Sequence, residues 1–245
     1  DCVAQGAVDY IKQDTPEAVL NARVESSLKV RMQQRQEDRL RNQIEKYLIR
    51  ARAAENLADE LLHAIFPREK VEELKQTSDI KPTRHERVTV LFCDVVGFTA
   101  YCDAHEPDDV IPPLQTLIEA FEQVSDRHGV EKIKTIGDCF MAAVGLFNPG
   151  PDDALKAVKC GLAMTLAADE IEVPWKVRVG IHAGPLMAGK IGKSKYCYDL
   201  WGDTVNTAAR VESSGLPGKV VVSRVVWEQI ASMCRGVSLG LKDAK

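Results

Sequence analysis

Paired cysteines, a basic patch and any long apolar run are what this sequence lacks, and each absence excludes a class of function. Its seven cysteines (Cys2, Cys93, Cys102, Cys139, Cys160, Cys197 and Cys234) contain no CxxC pair and no Cys/His spacing of the zinc-finger kind. An odd, scattered set reads as reduced thiols in a reducing compartment. No apolar stretch approaches the roughly 20 residues that span a bilayer, and no leader-peptide pattern is visible. The expectation is a cytoplasmic protein with no membrane segment. Net charge is only −4, so bulk attraction to nucleic acid is not expected. What is present is ordinary globular material: 45% hydrophobic and 28% charged residues in a chain of 245, enough for a core. Repeats and low-complexity tracts are missing.

Composition divides the chain into four stretches. Residues 1–27 hold a short strand-like piece, Asp9-Tyr10-Ile11, then a helix start with Thr15 as N-cap and Pro16 at the first position. Val19, Leu20 and Val24 share a face, and Lys12 follows the strand. This tail resembles the last strand and helix of a response-regulator receiver domain, which implies an upstream sensor or receiver module as a partner. Residues 28–66 turn charged and Ala-rich. Leu40, Ile44, Tyr47, Ala51, Ala54, Ala58, Leu61 and Ile65 follow alternating 4- and 3-residue steps, which predicts a left-handed coiled coil. Its alanines bury little, so the coil should be weak and suited to signalling. Residues 67–85, bounded near Pro67 and Pro82, form a connector.

From residue 86 the pattern alternates strands and helices. RVTVLFCDVVGF reads as a buried strand running into a turn, and Pro113 as the opening of a helix with Leu114, Leu117, Phe121 and Val124 on its face. A hairpin turns at Gly137-Asp138. A helix is predicted over 152–171, strands in WKVRVGIHAG and YDLWG, and a helix over 203–214 with Asp203 as its N-cap. GKVVVS supplies one more strand. The class expected is α+β, with a ferredoxin-like core.

Two carboxylates stand out. Asp94 ends an apolar strand, where a charge is costly unless it is solvated or paired with a cation. Asp138 sits at a hairpin tip. Singly, a helix cap and a turn residue account for them. Two at the ends of neighbouring strands make a hard-oxygen site suited to magnesium. Asn206 and Arg210 are four apart in one helix and so share a face.

LFCDVVGFT, EKIKTIGDCFMA and YDLWGDTVNTAARVE, in that order, resemble the three motifs of the class III adenylyl and guanylyl cyclases. LLHAIFPREKVEELK is similar to the element that precedes the catalytic domain in many of them. The resemblance implies that Asp94, Asp138 and the Val95 main-chain carbonyl hold two metal ions, Mg2+ or Mn2+. It implies that Asn206 orients the ribose and Arg210 stabilises charge on the phosphate. A phosphate-binding lysine is expected in LGLKDAK, at Lys242, with Lys245 as the alternative. His182 reads as strand packing.

The base follows from donors and acceptors. Guanylyl members carry Glu and Cys where this chain has Lys134 and Asp199. Lysine donates to a ring nitrogen and aspartate accepts from an amino group, which complements adenine. The resemblance therefore implies an adenylyl cyclase that converts ATP to cyclic AMP. The family divides the metal and transition-state residues between facing subunits, so a homodimer is expected. A guanylyl cyclase and an inactive nucleotide-binding module are the alternatives; a diguanylate cyclase is disfavoured because its GGDEF signature is absent.

Overall fold

The computed structural model describes residues 16–173 and 175–240. These fall into two compact units divided after Leu62. The first is a single helix, α1 (Glu17–His63), which runs on into the first residue of the second unit. It has no buried residue: Leu40, Ile44, Tyr47 and Leu61 are all more than half exposed. Helix runs without interruption through the 27/28 position where the composition changes. The strand-like piece at Asp9–Ile11 and the Thr15 cap lie outside the described residues. Ile65, the last position of the seam, falls just past the helix end.

The second unit begins with α2 (Arg68–Thr77) and contains β1 (Thr83–Val95), α3 (Phe98–Ala104), α4 (Pro107–His128), β2 (Glu131–Ile136), β3 (Cys139–Val144) and α5 (Asp153–Asp169). β4 (Val177–Ile191), β5 (Cys197–Trp201), α6 (Asp203–Ser213), β6 (Lys219–Val222) and α7 (Arg224–Ile230) follow. The sheet order is β2-β3-β1-β4-β5, antiparallel throughout, with β6 parallel to the first half of β4. The path β1-α4-β2-β3-α5-β4 is the ferredoxin-like arrangement, and the fold is α+β as expected.

β1 is the central strand and is buried from Val88 to Cys93 on both faces, which is why its sequence is a continuous apolar run. Leu91 stands opposite Ala142 on one side and Ile181 on the other. Leu117, Phe121 and Val124 of α4 join Ala157, Cys160 and Met164 of α5 in the same core. Phe121 meets Phe140 edge-on, with centroids 5.8 Å apart.

Three local expectations are corrected. α4 opens at Pro107, not Pro113; Pro112 and Pro113 lie inside it. The carbonyls of Asp108 and Asp109 lose their helical donors there, and both residues are exposed, so water can serve them. β4 continues well past Gly184 through Pro185. A strand proline needs an irregularity, and the β1–β4 register shifts there, between His85 and Val88. The N-cap of α6 is Gly202, at φ 138°, with Asp203 as the first helical residue. Asp203 still favours the positive end of the helix dipole.

α2 packs on its own unit through Val71, which is fully buried, and Phe66 before the helix and Ile80 after it are buried too. Asp79 pairs with Lys190 at 2.8 Å, and that lysine sits over the Tyr196 ring. The connector thereby braces the β4–β5 ribbon, where Gly189 is opposite Asp199.

Glu131, at the start of β2, is pushed up from 4.5 to about 6 by burial, then by Glu69 and Asp126, against Arg68. The folded state therefore holds this proton more tightly than the unfolded chain. Stability should fall as pH rises from 4.5 to 6 and level off above that. The ceiling is about 2 kcal/mol, lessened by solvent screening. Glu131→Gln should flatten that part of the melting-temperature profile; an unchanged slope would assign it to another group.

Candidate active site

Asp94 lies one residue before the end of β1, opposite Arg178 of β4. Arg178 Nη2 donates to Asp94 Oδ2 at 2.8 Å, and its Nε approaches Glu212 Oε1 to 3.1 Å. The first is an aligned hydrogen bond; the second is too bent for one and acts through charge alone.

Asp138 reaches the same place from the neighbouring hairpin. The turn between β2 and β3 is two residues, Gly137 and Asp138, and only the glycine has positive φ, at 64°. Such a turn wants glycine at its first central position. It places the Asp138 carboxylate near the end of β1, close enough to Asp94 for that charge to act on it. Beyond Val95, the chain turns at Gly97 into α3, whose Phe98 and Tyr101 pack edge-on against Trp175.

The acidic groups beside Asp94 are harder to ionise than usual, first through burial and then through its charge. Burial, then the Asp94 charge, raises the Asp138 carboxyl. Burial and then Asp94 push the Cys139 thiol up to about 12 and Glu212 to about 7, with Arg178 opposing the latter. Three carboxylates face one guanidinium. That excess, with hard oxygen donors, fits a divalent cation. Among the described residues no group of three or more His, Cys, Asp or Glu side chains is placed to hold a metal alone. The remaining ligands would come from main chain, water or phosphate, as magnesium commonly takes them.

A second cluster joins the two outer strands of the sheet path. Lys134 of β2 donates to Asp199 Oδ2 of β5 at 2.5 Å, and Asp199 Oδ1 accepts from the Leu200 N–H at 2.8 Å. Both side chains are partly exposed, at 29% and 15%.

The third element is α6. Thr204, Ala208 and Glu212 form its buried stripe, at four-residue intervals. The helix backbone comes so close to β4 that a Cβ on Gly180 would lie 2.1 Å from Glu212 N, and one on Gly184 would lie 2.6 Å from Thr204 Oγ1. Asn206 and Arg210 lie off that stripe and are exposed. Among the described residues no hydrogen bond or ion pair engages either side chain.

Asp94 with Asp138, Lys134 with Asp199, and the unengaged Arg210 are the polar features that the strand ends and α6 present. The adenylate and guanylate cyclase catalytic domain matches residues 80–237. The chain belongs to the adenylate and guanylate cyclase family. Guanylyl cyclase C of Cavia porcellus is 38% identical over 179 residues, covering 70% of this chain and 17% of its own length. An adenylate cyclase of Mycobacterium bovis (strain ATCC BAA-935 / AF2122/97) is 35% identical over 183 residues, covering 73% and 41%. The chain therefore spans less than half of each of these relatives. The guanylate cyclase domain of a protein from Catenaria anguillulae, solved in complex with GTP, superposes with a TM-score of 0.59 at 31% identity, covering 60% of this chain and 84% of that one. Cyclases of both base specificities are thus among the relatives.

The cyclase domain brings Asp94, the Val95 main chain and Asp138 together, and separately Lys134 with Asp199. Among the described residues no hydrogen bond or ion pair joins the Asn206 or Arg210 side chain to Asp94. Lys242 and Lys245 lie outside the described residues. His182 is half-buried on β4 and shares a hydrogen bond of 2.8 Å with Ser223, in keeping with a packing role. Arg178 and Glu212 were missed. The signal for Arg178 was present: in VRVGI, a charge alternates with buried valines on a strand whose neighbour carries the equally anomalous Asp94. No helix among the described residues is long and apolar enough to cross a membrane.

Proposed function

We propose that this cyclase domain is an adenylate cyclase, converting ATP to 3′,5′-cyclic AMP and pyrophosphate. The observation that carries the base assignment is the Lys134–Asp199 pair. With no base present, each satisfies the other. Adenine offers a ring-nitrogen acceptor beside an amino donor, so the lysine can turn to the first and the aspartate to the second. Guanine offers a carbonyl acceptor and an N–H donor in the reversed order, and would leave one partner unpaired in a half-buried site.

Asp94, Asp138 and the Val95 carbonyl would hold two Mg2+ or Mn2+ ions, a dependence general to the family. Such ions supply a lowered pKa at the ribose 3′-hydroxyl and charge neutralisation at the leaving pyrophosphate. Asn206 orients the ribose, and the Arg210 guanidinium donates to the α-phosphate as its charge grows. Lys242, or failing it Lys245, binds the terminal phosphates.

A homodimer with shared sites is supported by α6. Glu212 faces Asp94 by way of Arg178, whereas Arg210, two residues earlier, is turned roughly 200° around the helix. The transition-state residues of one chain thus point away from its own metal carboxylates and are free to serve a partner's. The wholly exposed apolar seam of α1 suits a coiled coil that relays a signal from an upstream sensor or receiver domain.

Incubation with ATP or GTP and Mn2+, followed by product identification, tests the assignment. Cyclic AMP is expected from ATP, and Arg210→Ala should lower kcat by roughly 10²–10³-fold with the fold intact. Cyclic GMP as the sole product would overturn the base reading. No product from either nucleotide would favour a nucleotide-binding module instead.

A further inference from the structure

We propose that Thr204 is a positioning residue for the reaction, fixing α6 on β4 so that Asn206 and Arg210 are presented at one height and one angle. The inference rests on Asn206 and Arg210 acting on the ribose and the phosphate.

Three observations carry it. Pro185 has no cross-strand partner, because the β1–β4 register shifts past it and β5 joins β4 only from Met187. Thr204 Oγ1 donates to the Pro185 carbonyl at 2.6 Å, and the threonine is only 4% exposed. The start of α6 is seated on the same irregularity. A Cβ on Gly184 would lie 2.6 Å from the Thr204 hydroxyl oxygen, and one on Gly202 would lie 3.7 Å from the Pro185 carbonyl oxygen.

The rest of the α6–β4 contact has little directionality. The buried stripe of α6 rests on Gly180 and Gly184, and a surface without side chains lets a helix slide or turn. At the far end Glu212 meets Arg178 through charge alone. Among the described residues, the Thr204 bond is the one aligned side-chain hydrogen bond from α6 to β4. Asn206 and Arg210 follow it by two and six residues, about 3 Å and 9 Å along the axis, so a slide or twist at Thr204 reaches both. A misplacement of about 1 Å can cost on the order of 10²-fold in rate. A bland reading competes: the hydroxyl merely satisfies a buried carbonyl. Its loss should then cost stability, and activity should follow the melting temperature alone.

The test is a kinetic cycle on the full chain with ATP and Mn2+, run well below the melting temperature of every variant. Thr204→Val keeps the shape and loses the donor; Thr204→Ser keeps the donor. Arg210→Ala and its combination with Thr204→Val complete the cycle. Ile230→Val, a core change on α7, supplies the effect of lost stability alone. Thr204→Val is expected to lower kcat on the order of 10²-fold, with KM for ATP little changed, because the base and metal contacts lie outside α6. Thr204→Ser should stay near the unaltered rate, as should Ile230→Val. In the Arg210→Ala background Thr204→Val should cost much less than it does alone, since the two act through one group. An equal loss in Thr204→Ser, or an undiminished cost in the Arg210→Ala background, overturns the positioning role and leaves the Arg210 assignment standing. So does an unchanged kcat in Thr204→Val where Arg210→Ala has lost its activity. Should Thr204→Val fail to fold, Thr204→Ala against Thr204→Ser, which differ by one hydroxyl, decides by the same criteria. Full activity in Arg210→Ala would overturn the Arg210 assignment and this inference with it.

Discussion

If Lys134 and Asp199 read adenine as proposed, Lys134→Glu combined with Asp199→Cys is expected to move the preference from ATP to GTP. A site that leaves a buried polar group unpaired against the wrong base discriminates by roughly 10⁴-fold, so the swing in relative kcat/KM should approach that size. The chemistry is a reversal of donor and acceptor. A carboxylate at 134 accepts from the guanine ring N–H and amino group, and a thiol at 199 donates weakly to its carbonyl. The single exchanges should each be worse than the pair. Lys134→Glu alone sets a second carboxylate where the lysine now lies 2.5 Å from Asp199. Asp199→Cys alone leaves the Lys134 ammonium without its partner in a part-buried site. Residues in direct contact do not behave additively, so the four-protein cycle of kcat/KM with ATP and GTP should show strong coupling. A double variant that still prefers ATP would remove the base assignment, whatever its overall rate. The relatives cannot substitute for this measurement, since they include a guanylyl cyclase C and an adenylate cyclase at nearly the same identity.

Lys134 and Asp199 were legible in the sequence because they sit inside long motifs, KIKTIGD and YDLWGDTVN, whose order along the chain fixes their places. That they meet was not. β2 and β5 lie at opposite ends of the strand order, and only the sheet as a whole brings their side chains together. The same holds for Asp94. Its anomaly, a charge ending an apolar strand, could be read directly, but its arginine is 84 residues away in the chain and is paired through strand register. Periodicity found α5 and the buried face of α4, because those helices rest on one core. It misjudged the start of α4, since proline usually opens a helix and here two prolines sit in its second turn, where exposed carbonyls are served by water. It stopped β4 early for the related reason that proline rarely continues a strand, whereas a register shift accommodates Pro185. Long-range pairing and local irregularity are the two things a pattern along the chain does not carry.

Asp94→Asn and Arg210→Ala should each abolish most activity when every subunit carries the change, and a mixture of the two should recover about a quarter of it. The carboxamide has no charge with which to hold a divalent cation, so the loss from Asp94→Asn should be several kcal/mol of transition-state stabilisation, roughly 10³-fold or more. Arg210 is exposed and unengaged, on the side of α6 away from Glu212, and Glu212 is the residue that faces Asp94 through Arg178. If the site is completed by a second chain, a mixed dimer contains one site with both lesions and one with neither. Random pairing makes half the dimers mixed, with one intact site in two, which gives about one quarter of full activity. Co-expression of the two variants, with activity measured per total protein, checks this. If each chain instead closed its site with its own Arg210, the mixture could only average two impaired enzymes, and activity would stay between the values of the single variants. The same experiment on a chain shortened to begin after Leu62 separates the roles of the two units. Recovery that survives the loss of α1 would place the dimer in the cyclase domain itself. Recovery that needs α1 would make its exposed apolar seam the element that brings the two halves of the site together.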